Sequence, residues 1–165
     1  MIRATLFAGT AILLAGCTLG ATENTPEPTE PSPAQSTQAA YMGVYAGTYV
    51  CSGGENGITV SIDELEDVNA AKMDVTQAKA RLWFYDTSGN PGHPTGAFHL
   101  SGLINSGSID MTPGDWISDV PANWGAAGIK GQFQTENGQI YLHGKPSGPG
   151  TSACQDFKLK RLEDF

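Results

Sequence analysis

Three histidines (His93, His99 and His143), three cysteines and one run of carboxylates are the side chains here that could hold a metal or move a proton. Their spacing argues against both. A zinc site draws its ligands from short fixed intervals, and neither the histidines nor the cysteines, which contain no CxxC, provide them. His99 and His143 fall at outward positions of alternating segments. Asp63-Glu64-Leu65-Glu66-Asp67 gathers four carboxylates, but a calcium loop alternates Asp or Asn around a central glycine, and this run does not. It reads as a solvated acidic turn. The carboxylate pair of a glycosidase must face itself across a cleft, which adjacency does not supply. No G-x-S-x-G, H-E-x-x-H or glycine-rich phosphate loop is present. The expectation is a protein with no catalytic residue, no metal and no cofactor.

The most distinctive segment is Thr112-Pro113-Gly114-Asp115-Trp116-Ile117-Ser118-Asp119-Val120-Pro121-Ala122-Asn123-Trp124-Gly125, in which two tryptophans flank a proline-containing loop. Large amphipathic rings either plug a core or anchor a partner such as a sugar or another protein. Trp116, beside a strand at Ser108–Thr112, is expected to be structural. Trp124, next to Gly125, is expected to be the more exposed ring and the better candidate for partner binding.

Two levels of organisation must present that segment. The first is the N-terminus, where one basic residue, Arg3, precedes an apolar run from Ala4 to Gly16. A bilayer span takes ~20 apolar residues, so the run reads as a secretory signal over residues 1–16. It ends Leu14-Ala15-Gly16-Cys17, which resembles the lipobox of bacterial lipoproteins. The resemblance implies diacylglycerol on the Cys17 sulfur, cleavage before it, and a further acyl group on its amine. Two or more chains anchor stably, because each buried CH₂ contributes ~0.8 kcal/mol. Residue 18 is Thr rather than Asp, and the sorting rule that the resemblance implies then favours the outer membrane in a cell with two. With Cys17 spent on lipid, Cys51 and Cys154 remain as an even pair in an oxidising compartment. A disulfide between them would span 103 positions, and chain entropy assigns ~4.7 kcal/mol to a loop of about that length.

Removal of Arg3 with the signal takes the basic residues from nine to eight against 17 acidic ones, a net charge of −9. Such a chain is repelled by nucleic acid and by anionic lipid headgroups, so nucleic-acid binding is excluded. From Cys17 to residue 40 the sequence is Thr/Pro/Glu-rich, with Pro26, Pro28, Pro31 and Pro33 and no large apolar residue after Leu19. It cannot bury enough surface to offset its ordering entropy and is expected to be a disordered tether. In extended polyproline form, at ~3.1 Å per residue, it would reach roughly 70 Å from the membrane.

The second level is the region 41–165. Ile58, Val60 and Ile62 alternate with Thr59, Ser61 and Asp63, and Ala78, Ala80, Leu82 and Phe84 alternate with Lys79, Arg81, Trp83 and Tyr85. Both are half-buried strands. Shorter ones surround Phe98/Leu100, Ile109/Met111, Ile129–Phe133, Ile140/Leu142 and Phe157/Leu159. Turn signals separate them, Asn137-Gly138 being the strongest for a hairpin. Only Asp63–Ala71 has room for a helical turn, and it reads equally as a polar loop. Short strands at regular spacing predict an all-β domain, a small antiparallel barrel or sandwich, and a Cys51–Cys154 bridge would staple its first strand to its last. At 125 residues the region supports one core.

The series Gly47-x-Tyr49-x-Cys51, Gly57–Ile62, Gly96-x-Phe98-x-Leu100-x-Gly102, Trp116-Ile117 and Cys154-x-x-Phe157-x-Leu159-x-Arg161 resembles a small β-domain that recurs in exported bacterial proteins. That likeness implies a scaffold and no particular activity. The Tyr49-x-Cys51 opening is also similar to that of the membrane-bound inhibitors of c-type lysozyme, likewise disulfide-stapled lipoprotein barrels. Their Ser-Gly-x-x-Tyr stretch has no counterpart here, since Ser101-Gly102-Leu103-Ile104-Asn105 ends in Asn, so no inhibitory residue carries over. The functional expectation is a lipid-anchored cell-envelope protein with a non-catalytic binding or scaffold domain that recognises an envelope protein or glycan. The alternative is an inhibitor of a hydrolase such as c-type lysozyme.

Overall fold

A computed structural model describes residues 40–68 and 75–162. The signal segment, Cys17 and almost all of the tether lie outside the described residues. What is described is an antiparallel barrel of eight strands in simple up-and-down order. The strands are β1 Gly43–Cys51, β2 Gly54–Asp67, β3 Val75–Tyr85, β4 Gly96–Asn105, β5 Ser108–Trp116, β6 Gly128–Glu136, β7 Gln139–Ser147 and β8 Phe157–Arg161. Of the two expected architectures the barrel is the one formed. It closes where β1 pairs with β8, through Tyr45 with Arg161 and Ala46 with Lys160. The Cys51–Cys154 disulfide staples the end of β1 to the segment just before β8.

The alternation predicts which way each side chain points. Ile58, Val60 and Ile62 of β2, Ala78, Ala80, Leu82 and Phe84 of β3, Phe98 and Leu100 of β4, and Leu142 and Leu159 opposite are all buried in one cluster. The outward phase carries ion pairs among its exposed side chains: Lys79 bonds Glu64 and Lys130 bonds Asp110 across neighbouring strands. A barrel that spans a membrane carries an apolar band there instead.

Two departures from the expected pattern are bulges. The residues Asp63–Asp67 do not form a turn; they continue β2. The register between β2 and β3 slips between Ile62 and Glu64, so Ile62 lies opposite Ala80 but Leu65 opposite Ala78. The extra residue lets Leu65 regain the inward phase, as a one-residue bulge does. Asp63 sits at the slip and accepts from Ser61 Oγ at 2.6 Å and from Arg81 Nε at 2.8 Å. The guanidinium of Arg81 holds its carboxyl below the usual carboxylate range. The acidic run is therefore part of a strand, in which Asp63 and Glu64 pair with Arg81 and Lys79 across the sheet.

The second bulge lies between β4 and β5, where Leu100 pairs with Pro113 but Phe98 with Trp116. Trp116 is thereby the last residue of β5 and not part of the loop, and its ring meets Phe98 edge-on at 5.2 Å. The strand runs past the Ser108–Thr112 expected for it. β6 pairs with β5 only from Ser108 to Met111, so Pro113, which has no N–H to donate, stands where β5 has lost that neighbour.

Candidate functional site

Up-and-down order sends successive connections to alternate ends of the barrel. One end of the barrel carries the tight turns Ser106-Gly107 and Asn137-Gly138, in which all four residues have positive φ (47°, 80°, 52° and 80°). Asn and Gly adopt that conformation most readily, which is why Asn-Gly hairpins form. The other end carries the β1–β2 turn and the three long loops, residues 86–95, 117–127 and 148–156.

These loops surround a cavity of about 400 Å³ that opens at their end. An eight-stranded barrel is just wide enough to be filled by side chains or to hold one small ligand. Here it does the first at one end and leaves room at the other. The cavity walls are Ile58, Leu82, Phe84, Phe98 and Ile129 from the strands and Trp124 from the loop above them. The Trp124 ring lies parallel to Phe84 with centroids 5.1 Å apart, and His93 meets it edge-on at 4.7 Å. Both tryptophans are only partly buried and pack against the core cluster. The structure brings Trp124 to the cavity wall, whereas Trp116 is held below by Phe84 and Phe98.

Each loop is tied down. In residues 148–156, Cys154 is bridged to Cys51, which also lines the cavity, and Gln155 N–H donates to Val50 O at 2.7 Å. In residues 86–95, Asn90 Nδ2 donates to Gly53 O at 2.9 Å, and Gly92 N–H to Asp86 at 3.1 Å. In residues 117–127, Ile117 N–H donates to Ala97 O at 2.8 Å, and Ala97 N–H to Ser118 Oγ at 2.9 Å. The tips nevertheless reach solvent: Ile117 is 46% exposed and Val120 55%.

Sequence reasoning missed the polar groups of the cavity. Tyr49 and Asn56 line it, from β1 and β2. Burial pushes the Tyr49 hydroxyl above its ordinary pKa, which keeps it protonated. Asn56 is 1% exposed; its Nδ2 donates to Gly54 O at 3.1 Å, while its Oδ1 is buried without a hydrogen-bond partner among the described residues. The signal was present: Asn56 continues the inward phase of Ile58, Val60 and Ile62, where a polar residue is out of place.

The remaining chemistry-bearing residues do not converge. His99 is exposed on β4, and His143 bonds Glu136 at 3.1 Å on the outer face. Among the described residues no three His, Cys, Asp or Glu side chains gather as a metal would require. Ser101–Asn105, which ends in Asn and is no counterpart of a Ser-Gly-x-x-Tyr stretch, lies within β4. No protein-family model matches this chain, and among curated proteins none matches it.

Proposed function

We propose that this chain is a lipid-anchored cell-envelope protein whose barrel is a non-catalytic binding module, with its site at the loop-rich mouth. The observation that carries the reading is the cavity of about 400 Å³ with Trp124 in its wall. It falls within the ~300–1,000 Å³ of small-molecule sites, which join apolar walls to a few placed polar groups. A glycan residue stacking on Trp124, or a side chain of an envelope protein inserted there, fits that description. The lipobox-like Leu14–Cys17 supports the anchor. The test is cross-linking in envelope extract with the full chain and with Trp124→Ala. A partner captured by the first and lost by the second is the expected result; equal capture contradicts it.

A second reading is favoured by the tip of residues 117–127. Ile117 and Val120 are exposed there beside Asp115 and Asp119, an apolar and acidic surface that suits docking on a basic hydrolase such as c-type lysozyme. Inhibition of lysozyme by the protein, lost on Ile117→Asp, would establish it. Undiminished lysozyme turnover at saturating protein would dismiss it.

A further inference from the structure

We propose that the mouth is a docking surface for a basic segment of another protein. That segment inserts one large apolar side chain into the cavity and sets flanking Lys or Arg residues against the carboxylates of the loops. This rests on the binding reading above and names the partner class of the same site.

Charge is divided between the barrel wall and the mouth. Every Lys and Arg among the described residues lies in a strand, and none in a loop. On the wall Asp63, Glu64, Asp110 and Glu136 are each paired with a cation. At the mouth Asp86, Asp119 and Asp156 stand in the three long loops, with Glu55 and Asp115 at the strand ends beside them. None of these mouth carboxylates takes part in an ion pair among the described residues. Asp86 accepts a backbone N–H from Gly92, which leaves its charge uncompensated. Like charges gathered around one opening attract a cationic partner, and that attraction weakens as salt is raised.

The cavity itself has two zones. Its strand-borne wall of Ile58, Leu82, Phe84, Phe98 and Ile129 is buried, and is apolar apart from Tyr49 and Asn56. Its rim, on the β1–β2 turn and the loops, brings Ser52, His93, Asn123 and Thr151 to the lining. A peptide has the same division: an apolar side chain suits the wall, and main-chain N–H and C=O groups suit the rim. No Asp or Glu lines the cavity, so the carboxylates lie outside it, as do the exposed Ile117 and Val120. A molecule small enough to be enclosed in about 400 Å³ leaves all of these uncovered. A neutral glycan gains nothing from the carboxylates. A protein segment that fills the cavity and continues over the rim uses both features, with a buried apolar anchor at the centre and complementary charge around it.

The test uses the full chain carrying Cys17→Ser, because a membrane or detergent would itself absorb apolar probes. Three end-blocked peptides are titrated by NMR: Lys-Gly-Phe-Gly-Lys, its acidic counterpart Glu-Gly-Phe-Gly-Glu, and Lys-Gly-Gly-Gly-Lys. The first is expected to shift the Trp124 indole and Phe84 signals. At low salt it should bind about tenfold more tightly than the acidic peptide, a preference that shrinks at high salt. Loss of the Phe ring should weaken binding about tenfold or more. 1-Naphthol, which fits inside the cavity, is expected to compete with the first peptide. In the triple variant Asp86→Asn, Asp119→Asn, Asp156→Asn the preference for the basic peptide should fall to about threefold, while 1-naphthol binds as before. If that variant does not fold, the peptides on the unsubstituted barrel decide alone. Equal binding of basic and acidic peptides, no effect of the Phe ring, or tighter binding of the neutral sugar chitotriose would overturn the partner class while leaving the mouth as a binding site. No shift at any cavity residue with all three peptides would also overturn it, and the binding reading then stands or falls on the Trp124→Ala cross-linking.

Discussion

The two ends of this barrel are made of the same strands and solve opposite problems. At the tight-turn end, Tyr45 is fully buried and donates from its hydroxyl to Tyr41 O at 3.0 Å. Phe133 stacks on Tyr41 with centroids 4.6 Å apart and meets Tyr45 at 5.4 Å. Arg161 Nη1 donates to Ala40 O, and Gln139 Nε2 to Arg161 O. Rings fill that end, and among the described residues no buried side-chain nitrogen or oxygen there lacks a partner. At the mouth, by contrast, the strands enclose space, and both buried side-chain atoms without a partner among the described residues, Asn56 Oδ1 and Thr87 Oγ1, belong to it. A filled end with satisfied polar groups is where a barrel stores stability. An end with a cavity and unmet polar groups costs stability, which is the usual mark of a site shaped for something else.

The largest effect is expected at Tyr45. Truncation to Ala should cost ~3–5 kcal/mol, the range for large aromatic residues in cores, measured by urea melts; a cost below 1 kcal/mol would mean that the tight-turn end is not the stable one. Tyr45→Phe should be milder and pH-dependent. Burial raises the Tyr45 hydroxyl from 10.0 to about 12 in the folded protein. Its contribution is therefore fully present below pH 10 and is lost as pH rises through the folded value. The wild type should lose stability between pH 10 and 12 more steeply than the Phe variant.

The disulfide comes next. Its loss by Cys51→Ser with Cys154→Ser should cost ~2–5 kcal/mol, and the exchange of the Gln155 amide, which depends on Val50 O beside the bridge, should quicken more than that of strand amides at the tight-turn end. Uniform quickening along the barrel would show that the bridge does not act on the mouth in particular. The smallest effect belongs to Trp124. Its partly buried ring stacks on Phe84, so Trp124→Ala should cost about 0.5–1.5 kcal/mol of stability, the scale of an aromatic pair. Partner binding should weaken by about 2 kcal/mol or more. A loss of several kcal/mol in the melt would make the ring scaffold and remove it from the site.

What was legible in the sequence rests on local signals. Asn137-Gly138 announces its hairpin at the tight-turn end, and period-two alternation assigns Ile58, Val60, Leu82 and Phe84 to the core without reference to any neighbour. The bulges were not legible. Each arises from register between two strands, so Asp63–Asp67 looked like a turn and Trp116 like a loop residue until Ala78 and Phe98 stood opposite. The even cysteine pair led to the staple at the closure. The cavity required three loops, far apart in sequence, to meet over one end. Only Asn56, polar at an inward position, hinted at it.

The central claim, that the mouth binds and the tight-turn end stabilises, is tested most directly by a chemical-shift map of the Cys17→Ser chain titrated with 1-naphthol. Shifts are expected at Asn56, Phe84, His93 and Trp124, with Tyr41, Tyr45 and Phe133 unmoved. Shifts centred on Tyr45 and Phe133, or none at the four mouth residues, would contradict it.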